Sequence, residues 1–109
     1  MKIDFAKPEN SKCISEMIKS AAEELRGVDF DEEGWKLFIE STSTEKTEEI
    51  VSNPEYLVFC CFENGKVIGL LSLQNLSKIV QLFVHPTARK RGVASMLWGF
   101  AKEYSLKHG

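Results

Sequence analysis

The residues whose types and spacing could do chemistry form one basic run that follows an apolar segment. Residues 82–94 read LFVHPTARKRGVA, in which the cations Arg89, Lys90 and Arg91 precede Gly92. The first turn of a helix leaves backbone N–H groups without partners inside the helix, and the helix dipole adds partial positive charge there. Gly92 has no side chain to keep a ligand away from the backbone, and Ala94 has little more. If a helix begins at this glycine, the run predicts a site for an anion such as phosphate.

Arg89, Gly92 and Ala94 also have the spacing R-x-x-G-x-A, with Val-His-Pro immediately upstream. In this form the run resembles the coenzyme A signature, [QR]-x-x-G-x-[GA], of the GCN5-related N-acetyltransferase (GNAT) family. The context supports the resemblance, because a phosphate-binding motif needs an apolar strand before it and a helix after it, and both are expected here. The alternative interpretation is a helix start with surface arginines and no ligand.

The resemblance implies an acetyl-CoA-dependent N-acetyltransferase, which moves an acetyl group from acetyl-CoA to a primary amine. The pyrophosphate would meet backbone N–H groups of residues 90–94, and Arg89 and Arg91 would add charge-assisted contacts. Backbone groups of residues 82–84 would pair with the pantetheine arm, and a free N–H at a bulge near Leu82 or Phe83 would polarise the thioester carbonyl. The expected cofactor-binding residues are Leu82, Phe83, Val84, Arg89, Lys90, Arg91, Gly92, Val93 and Ala94.

Catalytic side chains are not identified by the sequence. Gln81 lies on the strand before the motif but cannot act as a base, and His85 next to it is expected to be a surface residue at a strand end. Glu33 and Glu40 could line the acceptor side, although a solvated helix face is the better explanation of both. The family's usual general acid, a tyrosine on the helix after the fifth strand, has no counterpart. Tyr104 falls on the core face of the last helix and is expected to pack in the core.

The elements that must position the motif follow from the spacing of apolar residues. Alternation predicts a short strand at residues 2–6, and helical spacing predicts a helix at 8–27 that ends at a glycine cap. A second helix is expected at 31–40. Thr42 and Glu45 have the spacing of a capping box, which predicts a third helix running to about Ser52.

The second half of the chain predicts three strands and one helix. Residues 56–62 form a buried strand, and Asn64-Gly65 signals a type I′ hairpin turn into a strand at 67–73. Residues 78–84 are apolar at even and odd positions, which is typical of a strand covered on both faces. The last helix is expected at about 92–107, with a core face made of Val93, Met96, Leu97, Phe100 and Tyr104.

This order of elements predicts an α/β (α+β) fold with a mixed, mostly antiparallel sheet flanked by helices. It is similar to the N-terminal part of the acyl-CoA N-acyltransferase fold, so residues 1–109 are expected to form a single domain without the family's C-terminal strand-helix-strand-strand portion. Strand 78–84 would then be an apolar sheet edge, which invites association. Three explanations stay open: a fragment of a longer product, a homodimer covering 78–84, or a tolerated edge in a non-catalytic acetyl-CoA-binding or dimerisation module.

Composition limits the class of protein. The chain has 109 residues, of which 43% are hydrophobic and 28% charged, as in soluble globular domains. No apolar stretch has the length of a membrane span and no signal peptide is recognisable, so no membrane partner is expected. The three cysteines lack metal-ligand spacing. These features predict a cytoplasmic protein with buried thiols and no metal.

The distribution of charge limits the partners. Residues 1–63 contain 7 Lys and Arg against 15 Asp and Glu, whereas residues 64–109 contain 7 against one, so the halves carry −8 and +6. A positive second half would attract a polyanionic ligand. Nucleic acid is not an expected partner, because the chain is acidic overall and its basic cluster is short. The acids between residues 23 and 40 favour a cationic, amine-bearing acceptor, either a small molecule or a protein.

Overall fold

The computed structural model describes residues 1–108; Gly109, the expected last residue of the domain, lies outside the described residues. Short 3-10 helices precede α1, follow it, and follow β4. In chain order the strands and α-helices are β1 (Lys2–Phe5), α1 (Ser11–Ala22), α2 (Glu32–Ser41), α3 (Thr44–Ser52), β2 (Tyr56–Glu63), β3 (Lys66–Gln74), β4 (Lys78–Val84) and α4 (Val93–His108). This order confirms the expected fold class.

The four strands form one antiparallel sheet in the order β1-β2-β3-β4. β2 and β3 are joined by the predicted hairpin turn, in which Asn64 and Gly65 have φ values of 53° and 77°. Positive φ at both central residues is the requirement of a type I′ turn, and an Asn-Gly pair meets it at low cost. The sheet is thus a meander of β2, β3 and β4, with β1 added at the far side of β2.

Helices cover both faces of the sheet and bury two separate clusters. On one face α4 packs on β2 and β3, where Phe59, Leu71 and Leu97 are fully buried. On the other face α1 packs on β3 and β4 and α3 packs on β2, and Ile18 and Leu70 are fully buried in that cluster. α4 lies unusually close to β3 because residue 69 is a glycine. A Cβ at that position would be 2.6 Å from the Cγ1 atom of Val93.

Two expectations about individual elements are wrong. Thr42 does not begin a helix: it follows α2 and donates its hydroxyl to the Phe38 carbonyl (2.9 Å). Ser43 caps α3 instead, and its Oγ accepts the backbone N–H of Lys46 (3.2 Å). Met96 is exposed, and Ala101 takes a place on the buried face of α4.

β4 is not covered on both faces. Within the described part of the chain it pairs with β3 alone, so it forms one edge of the sheet. Ile79, Val80 and Leu82 are exposed to 36%, 37% and 42%. The strand therefore combines the composition of a central strand with the position of an edge strand. Among residues 1–108, no helix has the length and apolar character needed to cross a membrane.

Candidate functional site

The backbone of β4 offers hydrogen-bonding groups along the open edge. The N–H of His85 donates to the carbonyl of Ile68 on the β3 side, at 2.9 Å. Residues along an antiparallel strand alternate in the direction of their N–H and C=O groups. Phe83, which is paired with Leu70, therefore faces β3 as His85 does, whereas Leu82 and Val84 direct their backbone groups outward. Two of the three strand residues in the expected site thus have available backbone groups.

A bulge interrupts β4 earlier than expected. Ser72 pairs with Gln81 and the next residue, Leu73, pairs with Ile79, so the register skips Val80. The expected position near Leu82 or Phe83 is wrong by two or three residues, because nothing in the local sequence marks where an apolar strand gains its extra residue. The Gln81 side chain is occupied, since its Oε1 accepts the hydroxyl of buried Ser72 at 2.9 Å.

A short connection joins β4 to α4 and is fixed at both ends. After the strand, the Nδ1 atom of His85 accepts the N–H of Thr87 (3.2 Å) and so begins a 3-10 helix. Ala88 and Val93 are both buried in the cluster beneath α4. The turn between them, residues 89–92, lies at the surface. We call residues 89–92 the basic turn.

The basic turn presents the open end of α4. Gly92 has φ +78°, and among residues 1–108, apart from Gly92 and its two chain neighbours, no heavy atom lies within 4 Å of the place where its Cβ would stand. Its carbonyl accepts the N–H of Met96 at 3.0 Å, which is the first hydrogen bond of the helix. The N–H groups of Val93, Ala94 and Ser95 therefore have no acceptor inside the helix. Ala94 and Ser95 are exposed, so the expected anion site is accessible.

The two arginines of the basic turn are held by acidic side chains elsewhere in the chain. The guanidinium of Arg89 pairs with Glu24 and donates to the carbonyl of Ala21 at 2.9 Å, near the end of α1. Arg91 pairs with both carboxylate oxygens of Glu63, one of them at 3.0 Å. The hydrogen bond from Arg91 lowers the pKa of Glu63. No sequence pattern indicates these partners, which lie 65 and 28 residues from their arginines.

The other candidate residues are not brought to the basic turn. Glu33 and Glu40 line a cavity of about 810 Å³ beside α2, and no residue of β4 contributes to its walls. His85 is engaged with Thr87 as described. Tyr104 packs in the core, with its ring centroid 5.5 Å from that of Phe5, as expected. In the described residues no group of three or more His, Cys, Asp or Glu side chains is arranged to hold a metal.

Known structures share this arrangement of sheet, turn and helix. PaiA N-acetyltransferase from Thermoplasma acidophilum, solved with coenzyme A, superposes with a TM-score of 0.82 at 21% identity, over 98% of this chain and 74% of that one. A GCN5-related N-acetyltransferase from Rhodopseudomonas palustris gives 0.84 at 21%, over 99% and 67%. An aminoglycoside 6′-N-acetyltransferase complexed with coenzyme A superposes with a TM-score of 0.70 at 16% identity, and the match covers 98% of this chain and 56% of that one.

Sequence comparison gives a family. No curated protein matches the chain. The model of the acetyltransferase (GNAT) domain matches residues 26–109, which is most of the chain and includes β2, β3, β4, the basic turn and α4. The chain therefore belongs to the GNAT family of acetyltransferases.

Proposed function

We propose that this chain binds acetyl-CoA along the edge of β4 and the start of α4, and transfers its acetyl group to a primary amine. One observation carries the proposal: the outward backbone groups of Leu82 and Val84 lead directly into a turn that ends at an accessible helix N-terminus. An elongated ligand with amides at one end and a diphosphate at the other matches both parts. Membership of the GNAT family and the coenzyme A in two similar structures support the choice of ligand.

In the proposed complex the strand orders the arm of the ligand and the helix holds its phosphates. The pantetheine amides pair with Leu82 and Val84, as an added strand would. The N–H of Leu82 then polarises the thioester carbonyl, because the register leaves it free to point outward. The diphosphate meets the backbone N–H groups at the start of α4, from Gly92 to Ala94, where the helix dipole favours negative charge. No metal is part of this proposal.

The proposed acceptor is a cationic compound with a primary amine. The ammonium first loses one proton to solvent or to a base, and the neutral nitrogen then attacks the thioester carbonyl. The C–S bond breaks, and the second proton of the nitrogen passes to the departing thiolate, so that coenzyme A leaves as the thiol. One similar structure is that of an enzyme named for aminoglycosides, which are polyamines. The acids between residues 23 and 40 favour a cation, although Lys19, Arg26 and Lys36 line the same cavity beside α2 and Arg26 already pairs with Glu23 and Glu32.

Thermal unfolding tests binding, and release of free thiol tests transfer. A ligand that binds only the folded state raises the melting temperature by mass action, so acetyl-CoA should raise it and adenosine alone should not. Absence of any shift at millimolar acetyl-CoA would contradict the proposed site. Coenzyme A release on addition of polyamines, amino-acid amides or lysine peptides would identify the acceptor class.

The second candidate function is a non-catalytic acetyl-CoA-binding or dimerisation module. The exposed apolar side chains of β4 favour it, because an edge strand of this composition is prone to pair with another chain. Acetyl-CoA binding without thiol release in the presence of amines would favour the module over the enzyme. A strictly monomeric species in light scattering would eliminate the homodimer that covers residues 78–84.

The proposed location is the cytoplasm. Cys13, Cys60 and Cys61 are free thiols in the structure, and free thiols persist where glutathione and thioredoxin keep them reduced. Localisation of a tagged chain in its host would test this.

A further inference from the structure

The basic turn contains a backbone conformation that its neighbours must maintain. The backbone of Lys90 has φ +63°, which lies in the left-handed region that residues other than glycine and asparagine seldom adopt. Gly92 adopts the same region without cost, but Lys90 does not. Such a conformation persists only where contacts made by the surrounding residues outweigh the residue's own backbone preference.

The two residues that flank Lys90 are fixed to opposite sides of the protein. On one side Arg89 bridges to Glu24 and to the Ala21 carbonyl. That carbonyl belongs to the last turn of α1, where backbone acceptors lack helical partners and the dipole is negative. On the other side Arg91 makes a bidentate ion pair with Glu63 at the end of β2.

The flanking contacts also determine which charge is available to a ligand. Both guanidinium groups already have a carboxylate partner, and planar bidentate pairing is the geometry that arginine favours. Lys90, in contrast, has no acidic side chain within ion-pair distance in the part of the chain that the structure describes. Its exposed ammonium therefore remains uncompensated.

We propose that Arg89 and Arg91 are positioning residues, which clamp the basic turn through Glu24 and Glu63, and that Lys90 and the backbone N–H groups contact the phosphates. The part that concerns phosphates rests on the proposed function. The clamp itself is a property of the ligand-free chain. It distinguishes the arginines, which would act through the shape of the turn, from groups that touch the ligand.

Neutralising Glu24 or Glu63 tests the proposal, because phosphate-contacting arginines and clamping arginines predict opposite changes in the affinity for coenzyme A. If the arginines contact the phosphates, Glu24→Gln or Glu63→Gln removes a competing anion and coenzyme A binds more tightly. If they clamp the turn, each substitution weakens binding by about threefold, as expected for loss of a partly exposed ion pair. Glu49→Gln is the matched control: it removes the same charge and an exposed ion pair with Lys46 on α3, far from the turn in sequence. Tighter binding by Glu24→Gln and Glu63→Gln would overturn the proposal.

Two further measurements complete the test. The dependence of the dissociation constant on salt should be less steep in Lys90→Met, which loses a phosphate contact, and unchanged in Glu24→Gln. Hydrogen exchange of residues 89–94 without ligand should be faster in Glu24→Gln and Glu63→Gln than in the parent and Glu49→Gln. If coenzyme A fails to bind the parent protein while exchange accelerates, the proposed function is wrong and the clamp stands. Unchanged exchange overturns the clamp whatever the protein binds.

Discussion

Replacement of Gly92 by glutamate separates the cost of a backbone conformation from the loss of an anion site. Gly92 has φ +78° and open space around its Cβ position in the described structure. The substitution therefore creates no clash within the protein. It costs about 1–2 kcal/mol, because an L-residue is placed in the left-handed region. At about 4 °C per kcal/mol for a domain of this size, the melting temperature should fall by about 4–8 °C.

The effect on binding should be larger than the effect on stability. At acetyl-CoA about 100 times above its dissociation constant, the parent gains about 2.7 kcal/mol, or about 11 °C. A carboxylate about 4 Å from a phosphate near the protein surface opposes binding by about 4 kcal/mol, and salt reduces this to about 3 kcal/mol. Affinity then falls about a hundredfold. At the same ligand concentration the shift of Gly92→Glu should be about 2 °C or less.

Gly27→Glu provides the matched control. Gly27 has φ +80° and, among residues 1–108, an equally open Cβ position, but it lies before α2 and outside the basic turn. It should lose the same 4–8 °C of melting temperature, by the same backbone cost, and keep the full shift with acetyl-CoA. Differential scanning fluorimetry of the three proteins, with and without ligand, gives all the numbers. A Gly92→Glu protein that retains the parent's shift would refute the placement of the phosphates at this turn.

Three further outcomes follow from the packing and the charges. Gly69→Ala should destabilise the fold by about 1–3 kcal/mol in urea unfolding, because its Cβ would be 2.6 Å from a methyl group of Val93; an unchanged midpoint would mean that α4 moves away freely. The hydrogen bond from Arg91 lowers the pKa of Glu63 below its ordinary 4.5. The ion pair therefore stabilises the fold above pH 4.5, and this stabilisation disappears as the pH falls through the lowered pKa. Glu63→Gln should accordingly be less stable than the parent by a constant free energy at neutral pH and equally stable in acid. If the difference in unfolding free energy between the parent and Glu63→Gln grows in acid, the direction of the pKa shift is wrong. Burial raises the pKa of Cys60 to about 12, and Cys61 is buried beside it. Ellman's reagent should therefore label only the exposed thiol, Cys13, in the native protein. Fast reaction of all three thiols would show that the core opens.

The fold could be predicted where residues close in sequence determine the structure. The Asn64-Gly65 turn fixes the β2–β3 hairpin, because few other pairs accept positive φ at both positions. The motif at Arg89, Gly92 and Ala94 located the start of α4 by the same kind of local rule. The start of α3 could not be predicted to the residue, because Thr42 and Ser43 have the same capping chemistry. Ser43 is the cap because the hydroxyl of Thr42 is bound to the Phe38 carbonyl of α2.

Contacts between distant residues could not be predicted. Five of the seven residues of β4 are apolar and indicate a strand covered on both faces, but Ile79, Val80 and Leu82 are exposed. The position of the strand at a sheet edge was expected only from the resemblance to the N-terminal part of a larger fold. The bulge at Val80 depends on the register with β3, which local sequence does not specify. The same holds for the partners of Arg89 and Arg91. Their chemistry is visible in the sequence, whereas the choice of carboxylate depends on the assembled fold.

The position of β1 has a consequence for the order in which the chain assembles and opens. β2, β3 and β4 follow one another through short turns, so their pairing requires little loop closure. β1 meets β2, with Lys2 opposite Phe62, only after the whole helical segment has been bridged, and contacts of such sequence separation form late. The Phe5 ring covers Phe59 and Tyr104. Detachment of β1 would uncover that aromatic cluster, so we expect proteases and exchange with solvent to reach the interior there before the β2–β4 meander opens.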